Sequence, residues 1–504
     1  MEEHAVTMDG ESCQSTPHLV LVPFFAPGHM IPMVDIARLL AERGVLVSFI
    51  TTPVNATRTR TAIERSQALG LPIRFVELPF PCAELGLPEG CESVDLVPSL
   101  DTGNKFFNGL SILREPLAAY LRQQCRPSCI ISDMCHPWTQ GLANEFGVPR
   151  LAFHATCCFS VLCHRNIRQY KVTDGFADEM ESFVVPGLPH RVEITKDQVP
   201  FFEGSDLERY RNELIEADET SDGVVFDSFY ELETLYIDSY QKATGKKAWA
   251  VGPVCFYNNL DVEDRAARGD KAAVDSRFYL SWLDSRKPGS VILISFGSLS
   301  HTPPSQIIEI GMGLEASGNP FILVIKANDQ SQELEDWLLQ GGFEERTKER
   351  SLVIRGWAPQ LAILSHPAVG GFVSHCGWNS VLEAISVGVP MITWPLFADH
   401  FLIERLVVEV LRVGISIEVK RQVKWMVSGQ FRKLVKREEV EAAVRALMDG
   451  GVEGQERRER ARLLAETARR AAEVGGSSHE NLTSLIRDVS LLRASVNDKG
   501  PEAT

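Results

Sequence analysis

Three groups of residues in this chain have the types and spacing for chemistry. His29, in the turn PFFAPGHMIPM, titrates in the range needed to take a proton from an alcohol near neutral pH. A histidine in such a turn can also serve structure alone, and the residues by themselves leave both readings open. Asp133, in SDMCHPW, either accepts backbone hydrogen bonds at a strand end or orients the His29 imidazole and stabilises the imidazolium that proton uptake creates. The third group is HCGWNS, residues 375–380, followed by the apolar positions Val381, Leu382, Ala384 and Ile385. A helix starting there points free backbone N–H groups and the positive end of its dipole outward, a seat for a diphosphate that needs no lysine. Glu383 stands three residues after Ser380, so an ordinary capping box explains the same spacing. Ser298, after the run VILISF, can donate its hydroxyl and backbone N–H to a phosphate or simply close a turn.

The elements that position these residues alternate between short apolar runs and helical periodicity. Residues 18–24 read as a buried first strand, and Pro27 and Gly28 force a turn that carries His29. Pro32 marks a helix start, and that helix stops at Gly44. Further strands are expected at 45–51, 73–78, 129–132, 151–153, 223–226 and 248–254, with helices through 110–121, 138–147, 207–217 and 229–240. Residues 85–107 and 186–200 read as long loops, and the first of them is assigned to a pocket wall. The stretch 255–275 loses periodicity and gains charge, which marks a linker. A second series of strands follows at 291–296, 321–325, 352–354, 371–374, 391–393 and 414–419, and long helices run from 436 onward. The predicted fold class is α/β, with parallel sheets whose strand ends open onto crevices. The expected organisation is a disordered tail over 1–17, a first α/β domain over 18–254, a linker over 255–275 and a second α/β domain over 276–476. A closing helix over 477–495 and a disordered tail over 496–504 complete it.

At 504 residues the chain exceeds one usual hydrophobic core, in keeping with two domains. A formal net charge of −16 argues against nucleic acid as a partner, while leaving room for a small anion in a local pocket. The polar, acidic first residues lack the apolar region of a secretory signal, and no run approaches a membrane span, so a cytoplasmic protein is expected. Eleven cysteines without metal-ligand spacing read as free buried thiols, and no metal site is expected. The turn after the first strand has no GxGxxG, which disfavours a nicotinamide oxidoreductase.

The motifs WAPQ, HCGWNS, WPLF and the closing Asp399 and His400, spread over residues 357–400, resemble the signature segment of plant family 1 UDP-sugar-dependent glycosyltransferases. PFFAPGHMIPMVDIARLLAERG is similar to the same family, nearest the branch that acts on triterpenoids, steroids and flavonoids. The resemblance implies two Rossmann-like domains facing across a cleft, the GT-B fold, and a monomer that uses a UDP-sugar as co-substrate without any cofactor. It implies His29 as base and Asp133 as its orienting acid. It places Trp357 on uracil, Ala358 at the uracil edge, Gln360 and Glu383 on the ribose, and Ser298, His375, Asn379 and Ser380 on the phosphates. It places Thr156, Trp378, Asp399 and His400 at the sugar.

His400 departs from the glutamine usual in the family, and in the family this histidine accompanies galactose or arabinose transfer. The expected reaction is therefore inverting transfer from UDP-galactose or UDP-arabinose to a hydroxyl of a lipophilic triterpenoid or steroid. UDP-glucose-dependent glucosylation of a flavonoid or phenol is the alternative, and a non-catalytic UDP-sugar-binding protein is a third reading. His29 and Asp133 together favour an enzyme.

Overall fold

The computed structural model describes residues 16–199, 207–256, 268–423 and 433–498. Residues 1–15 and 499–504 of the expected tails, and residues 257–267 of the expected linker, lie outside the described residues.

The first sheet is built from β1 (His18–Val22), β2 (Leu46–Thr51), β3 (Ile73–Glu77), β4 (Cys129–Asp133), β5 (Arg150–His154), β8 (Gly223–Phe226) and β9 (Ala248–Ala250). Between β5 and β8 stands a small antiparallel hairpin, β6 (Ser182–Val184) with β7 (Glu193–Thr195). The large sheet is ordered β3-β2-β1-β4-β5-β8-β9 with every pair parallel. All residues of β1, β4 and β5 are buried, which is why these strands read as short apolar runs, with polar residues only at their ends, instead of alternating ones.

The second sheet contains β10 (Val291–Ser295), β11 (Phe321–Ile325), β12 (Ser351–Arg355), β13 (Val369–Ser374), β14 (Met391–Thr393) and β15 (Gly414–Ser416). Its order is β12-β11-β10-β13-β14-β15, again all parallel. In each sheet the strand order reverses beside the first strand, between β1 and β4 and between β10 and β13. Crevices open at the carboxyl ends of strands at such switch points, because the loops on either side run to opposite faces of the sheet.

Several elements differ from expectation. The first helix spans Pro27–Ala41, so Pro27 starts it and Pro32 lies inside it. Proline fits the first helical position because that N–H has no intrahelical partner. The helix Pro53–Ala68 is not marked by apolar periodicity, since only five of its residues are buried and four of those are polar or alanine. Within the expected loop 85–107, the helix Leu100–Gly109 forms behind Ser99, whose side chain accepts the Thr102 N–H. The β6–β7 hairpin falls across the start of the other expected loop.

The final helix runs Ser477–Asp498, so residues 496–498 are helical rather than tail. It lies on the first sheet: Leu482, Leu485 and Val489 are fully buried beside Trp249 and Val254. Among the described residues nine cysteines are buried free thiols, but Cys125 is disulfide-bonded, against the expectation of free thiols throughout. Spacing along the chain does not reveal which side chains folding brings within bonding reach.

Candidate active site

His29 lies in the first turn of the helix Pro27–Ala41, directly after β1, and Asp133 is the last residue of β4. The two strands pair side by side, Leu19 to Cys129 through Val22 to Ser132, so their ends flank the first switch point. His29 Nδ1 donates to Asp133 Oδ2 at 2.7 Å. Asp133 is fully buried and its other oxygen accepts the Cys135 N–H at 2.9 Å, while the His29 side chain keeps 27% exposure. Burial disfavours the imidazolium, but the charge and hydrogen bond of Asp133, with Asp399 adding, raise the His29 pKa above its ordinary value. Burial likewise opposes ionisation of Asp133, and the contact with His29 outweighs it, leaving that carboxyl below its usual range. With Nδ1 committed to Asp133, Nε2 is the nitrogen available to take a proton.

An apolar wall stands beside this pair. The Phe24 ring meets His29 edge-on at 5.1 Å and stacks with Phe107 at 5.9 Å. Phe107 comes from the helix Leu100–Gly109, and Leu299 of the second domain packs against the same cluster.

The second switch point carries the other group. Ser298 follows β10 and His375 follows β13, and these strands pair through Ser295 and Ser374. The helix Trp378–Val387 starts behind Gly377, which has no side-chain cap, and its first bond runs from Val381 N–H to the Gly377 carbonyl. Ser380 is thus inside the first turn and caps nothing, which removes the capping-box explanation of the Ser380–Glu383 spacing. The backbone N–H groups of residues 378–380 precede that first bond and point at the crevice.

The His375 ring is clamped between glycines: a Cβ at Gly297 or at Gly377 would run into it. Burial, with the Lys326 charge adding, holds the His375 pKa down at about 3, so the ring is neutral near pH 7. Cys376, between His375 and Gly377, sits at φ 69, and Ala398, before Asp399, at φ 52. Non-glycine residues in this left-handed region are held by their surroundings and cluster where side chains must be aimed.

Trp357 is half-buried and its Nε1–H has no partner among the described residues. Gln360 donates to Ser380 Oγ at 3.0 Å and to Glu383 Oε2 at 2.9 Å, so these three residues share one polar cluster. Ala358, two residues before Gln360, precedes the helix Gln360–Leu364.

At the far end Thr156 donates to Asp399, a contact between the two domains. Burial raises the Asp399 pKa against that hydrogen bond. His400 is nearly enclosed. Its Nδ1 accepts the N–H groups of Leu396 and Phe397, both at 3.4 Å, and its ring meets His375 edge-on at 5.0 Å. Burial, with His375 adding, keeps His400 neutral. Its Nε2–H is therefore the polar group left over.

Two expected residues also join the two domains. Trp378 is 3% exposed and its Nε1–H donates to the Asp227 carbonyl at 2.6 Å, so its ring is a junction between domains. Asn379 donates through Nδ2 to the Gly28 carbonyl beside His29. That carbonyl is open because Pro32, four residues on, has no N–H to return to it. Sequence reading also missed Arg268 and Asp35: the first lies in an apparently solvated linker, and the second on a helix read for its apolar face. Among the described residues, no group of three or more His, Cys, Asp or Glu side chains is placed to hold a metal ion, and no helix is long and apolar enough to cross a membrane.

Residues 17–255 match the family described as glycosyltransferase, N-terminal domain, and residues 275–438 match UDP-glucoronosyl and UDP-glucosyl transferase. UDP-glycosyltransferase 73C6 of Arabidopsis thaliana is 46% identical, with 95% of this chain and 98% of that protein covered. UDP-glycosyltransferase 73C25 of Barbarea vulgaris is 44% identical over the same shares. Among solved structures, UGT73P12 of Glycyrrhiza uralensis complexed with glycyrrhetinic acid 3-O-monoglucuronide superposes with a TM-score of 0.88 at 38% identity, covering 96% of this chain and 98% of that one. UGT89C1 of Arabidopsis thaliana complexed with UDP-L-rhamnose gives 0.72 at 28% identity, covering 94% and 99%.

Proposed function

Because the chain belongs to the plant family 1 UDP-glycosyltransferases, GT-B enzymes that move a sugar with inversion from a UDP-sugar to a small-molecule acceptor, we propose that His29 and Asp133 carry its chemistry. His29 Nε2 takes the acceptor hydroxyl proton as the oxygen attacks the anomeric carbon, and Asp133 holds the imidazolium that results. The bond from that carbon to the β-phosphate oxygen breaks on the opposite face, so one displacement inverts the centre. Negative charge grows on the departing phosphate, and the N–H groups of residues 378–380 with Ser298, His375, Asn379 and Ser380 receive it. Trp357 and Ala358 take the uracil, and Gln360 and Glu383 the ribose hydroxyls. The 2.7 Å His29–Asp133 contact at the mouth of an apolar wall is the observation that supports this reading most strongly.

The donor is UDP-galactose or UDP-arabinose, with Thr156, Asp399 and His400 at the sugar. A glutamine at position 400 would both donate and accept toward neighbouring hydroxyls. With Nδ1 occupied by backbone N–H groups, His400 offers one donor from one direction. The acceptor is a lipophilic triterpenoid or steroid, in keeping with the phenylalanine-rich wall and with the triterpenoid glucuronide bound by the Glycyrrhiza relative.

Competition among UDP-glucose, UDP-galactose and UDP-arabinose, with triterpenoid, steroid and flavonoid acceptors, tests both choices. The chain is expected to favour galactose or arabinose, and His400→Gln to move the donor ratio about tenfold toward glucose. An unchanged ratio would show that position 400 does not choose the sugar.

A further inference from the structure

Arg268 belongs to the charged stretch between the domains, yet only 11% of its side chain is exposed. Its Nη1 donates to Glu383 Oε1 at 2.7 Å, and its Nη2 and Nε donate to Asp35 Oδ2 at 2.6 and 3.2 Å. One guanidinium thus joins the first helix of the first domain to the helix Trp378–Val387 of the second. Asp35 and Glu383 are themselves about as enclosed, at 9% and 12%. The next residue, Gly269, sits at φ 87 between Trp357 and Ile31. A Cβ there would collide with the indole ring and come within 2.9 Å of Ile31 Cδ1, so only glycine fits.

We propose that Arg268 is a positioning residue for nucleotide recognition, holding the Glu383 carboxylate aimed at the ribose diol while Gly269 walls the nucleoside seat against Trp357. The proposal rests on the reading of Glu383 as the ribose contact. A carboxylate binds a diol by accepting from both hydroxyls. Glu383 Oε2 is already fixed by Gln360, and Arg268 fixes Oε1, so both oxygens are oriented before the nucleotide arrives.

The site is rich in acids, which is why a cation is needed. Burial raises the Asp35 pKa, and the Glu383 charge adds to this, against the opposing effect of Arg268 and Arg38. Asp227 behind them is pushed by burial up to about 7, with Asp35 and Glu383 adding and Arg268 opposing. Burial also raises the Cys255 thiol, which faces the same group. On the outer side Arg58 lies 3.7 Å from Asp270 but is already bonded to Asp95. Removing Arg268 takes away the charge that most opposes the rise of the Asp35 pKa, so Asp35 retains a proton as pH falls and can donate it to Glu383 Oε1, the oxygen that Arg268 had aimed.

The test is steady-state kinetics of the full chain between about pH 6 and pH 8, with calorimetric UDP binding and a thermal melt of each variant. Arg268→Ala is expected to raise the UDP-sugar KM and the UDP Kd about tenfold at the acid end and distinctly less at the alkaline end, with a smaller change in kcat. Arg268→Lys keeps the charge and should recover most of the acid-end loss. Gly269→Ala should raise KM equally across the range, since it displaces the seat without altering charge. A KM for Arg268→Ala that is unchanged, or raised without pH dependence, overturns the proposal even if the melt shifts. Glu383→Gln separates the two layers: unchanged UDP binding in that variant sinks the ribose reading itself. A large loss there with a silent Arg268→Ala sinks only the role of Arg268.

Discussion

His29 is useful as a base only while unprotonated, and its surroundings set when that is. Asp133, with Asp399 adding, raises the pKa against burial, so kcat/KM should climb with pH through that raised value and then level. Asp133→Asn removes the largest raising charge and leaves the burial in place. The acid limb should then move to lower pH, while the plateau drops on the order of a hundredfold or more because the imidazolium loses its stabilising partner. A pH profile of kcat/KM for both proteins checks this, and a limb that stays put would assign the titration to another group. Residue 400 obeys the same logic of partners: a histidine with one nitrogen already bonded to backbone is a single donor, whatever its chemistry in free solution.

At the scale of elements, the donor side depends on two strand-to-helix turns that press on one ring. Gly297 after β10 and Gly377 before the helix Trp378–Val387 leave room for His375 where any side chain would intrude. Gly377 itself has φ −61, an ordinary angle, so alanine there is compatible with the backbone and the clash with His375 is its main consequence. Gly377→Ala is expected to push His375 aside and weaken UDP binding about tenfold or more by titration, with only a small shift in melting temperature. Full UDP affinity in that variant would mean that the ring position is immaterial. Pro32 acts similarly from the other domain, since its missing N–H opens the Gly28 carbonyl to Asn379 and ties the first turn of one helix to the first turn of another.

The whole molecule is two parallel sheets facing each other through their switch points, closed by a C-terminal helix that returns to the first domain. That helix is anchored by Ser478 to the Gly252 carbonyl and by Asn481 to the Ala250 carbonyl at 3.1 Å, and it buries Leu482, Leu485 and Val489 completely. Leu485→Ala should cost about 2–5 kcal/mol of stability, as deletion of a fully enclosed leucine does when its site cannot collapse. A urea unfolding midpoint left within error of the parent would show that the helix is not part of the cooperative core.

The central strands were legible because they are buried on both faces and so read as short apolar runs, as with β11 and β14, whose limits coincide with those expected. The two-domain α/β class follows from length and from that repeated alternation. Less legible were elements without an apolar signature, such as the helix Pro53–Ala68, and those capped by a single serine, such as Leu100–Gly109. By itself the sequence determined which segments lie inside, which turns carry chemistry-bearing residues, and which motifs mark a sugar-nucleotide transferase, because periodicity and short motifs are local properties. Only the tertiary structure decided which side chains meet. It paired His29 with Asp133 across 104 positions, turned the Trp378 ring into a domain junction, and drew Arg268 out of an apparently solvated linker onto two buried carboxylates. Those contacts arise from strand order and domain approach, which depend on packing the whole chain and leave no mark in local spacing.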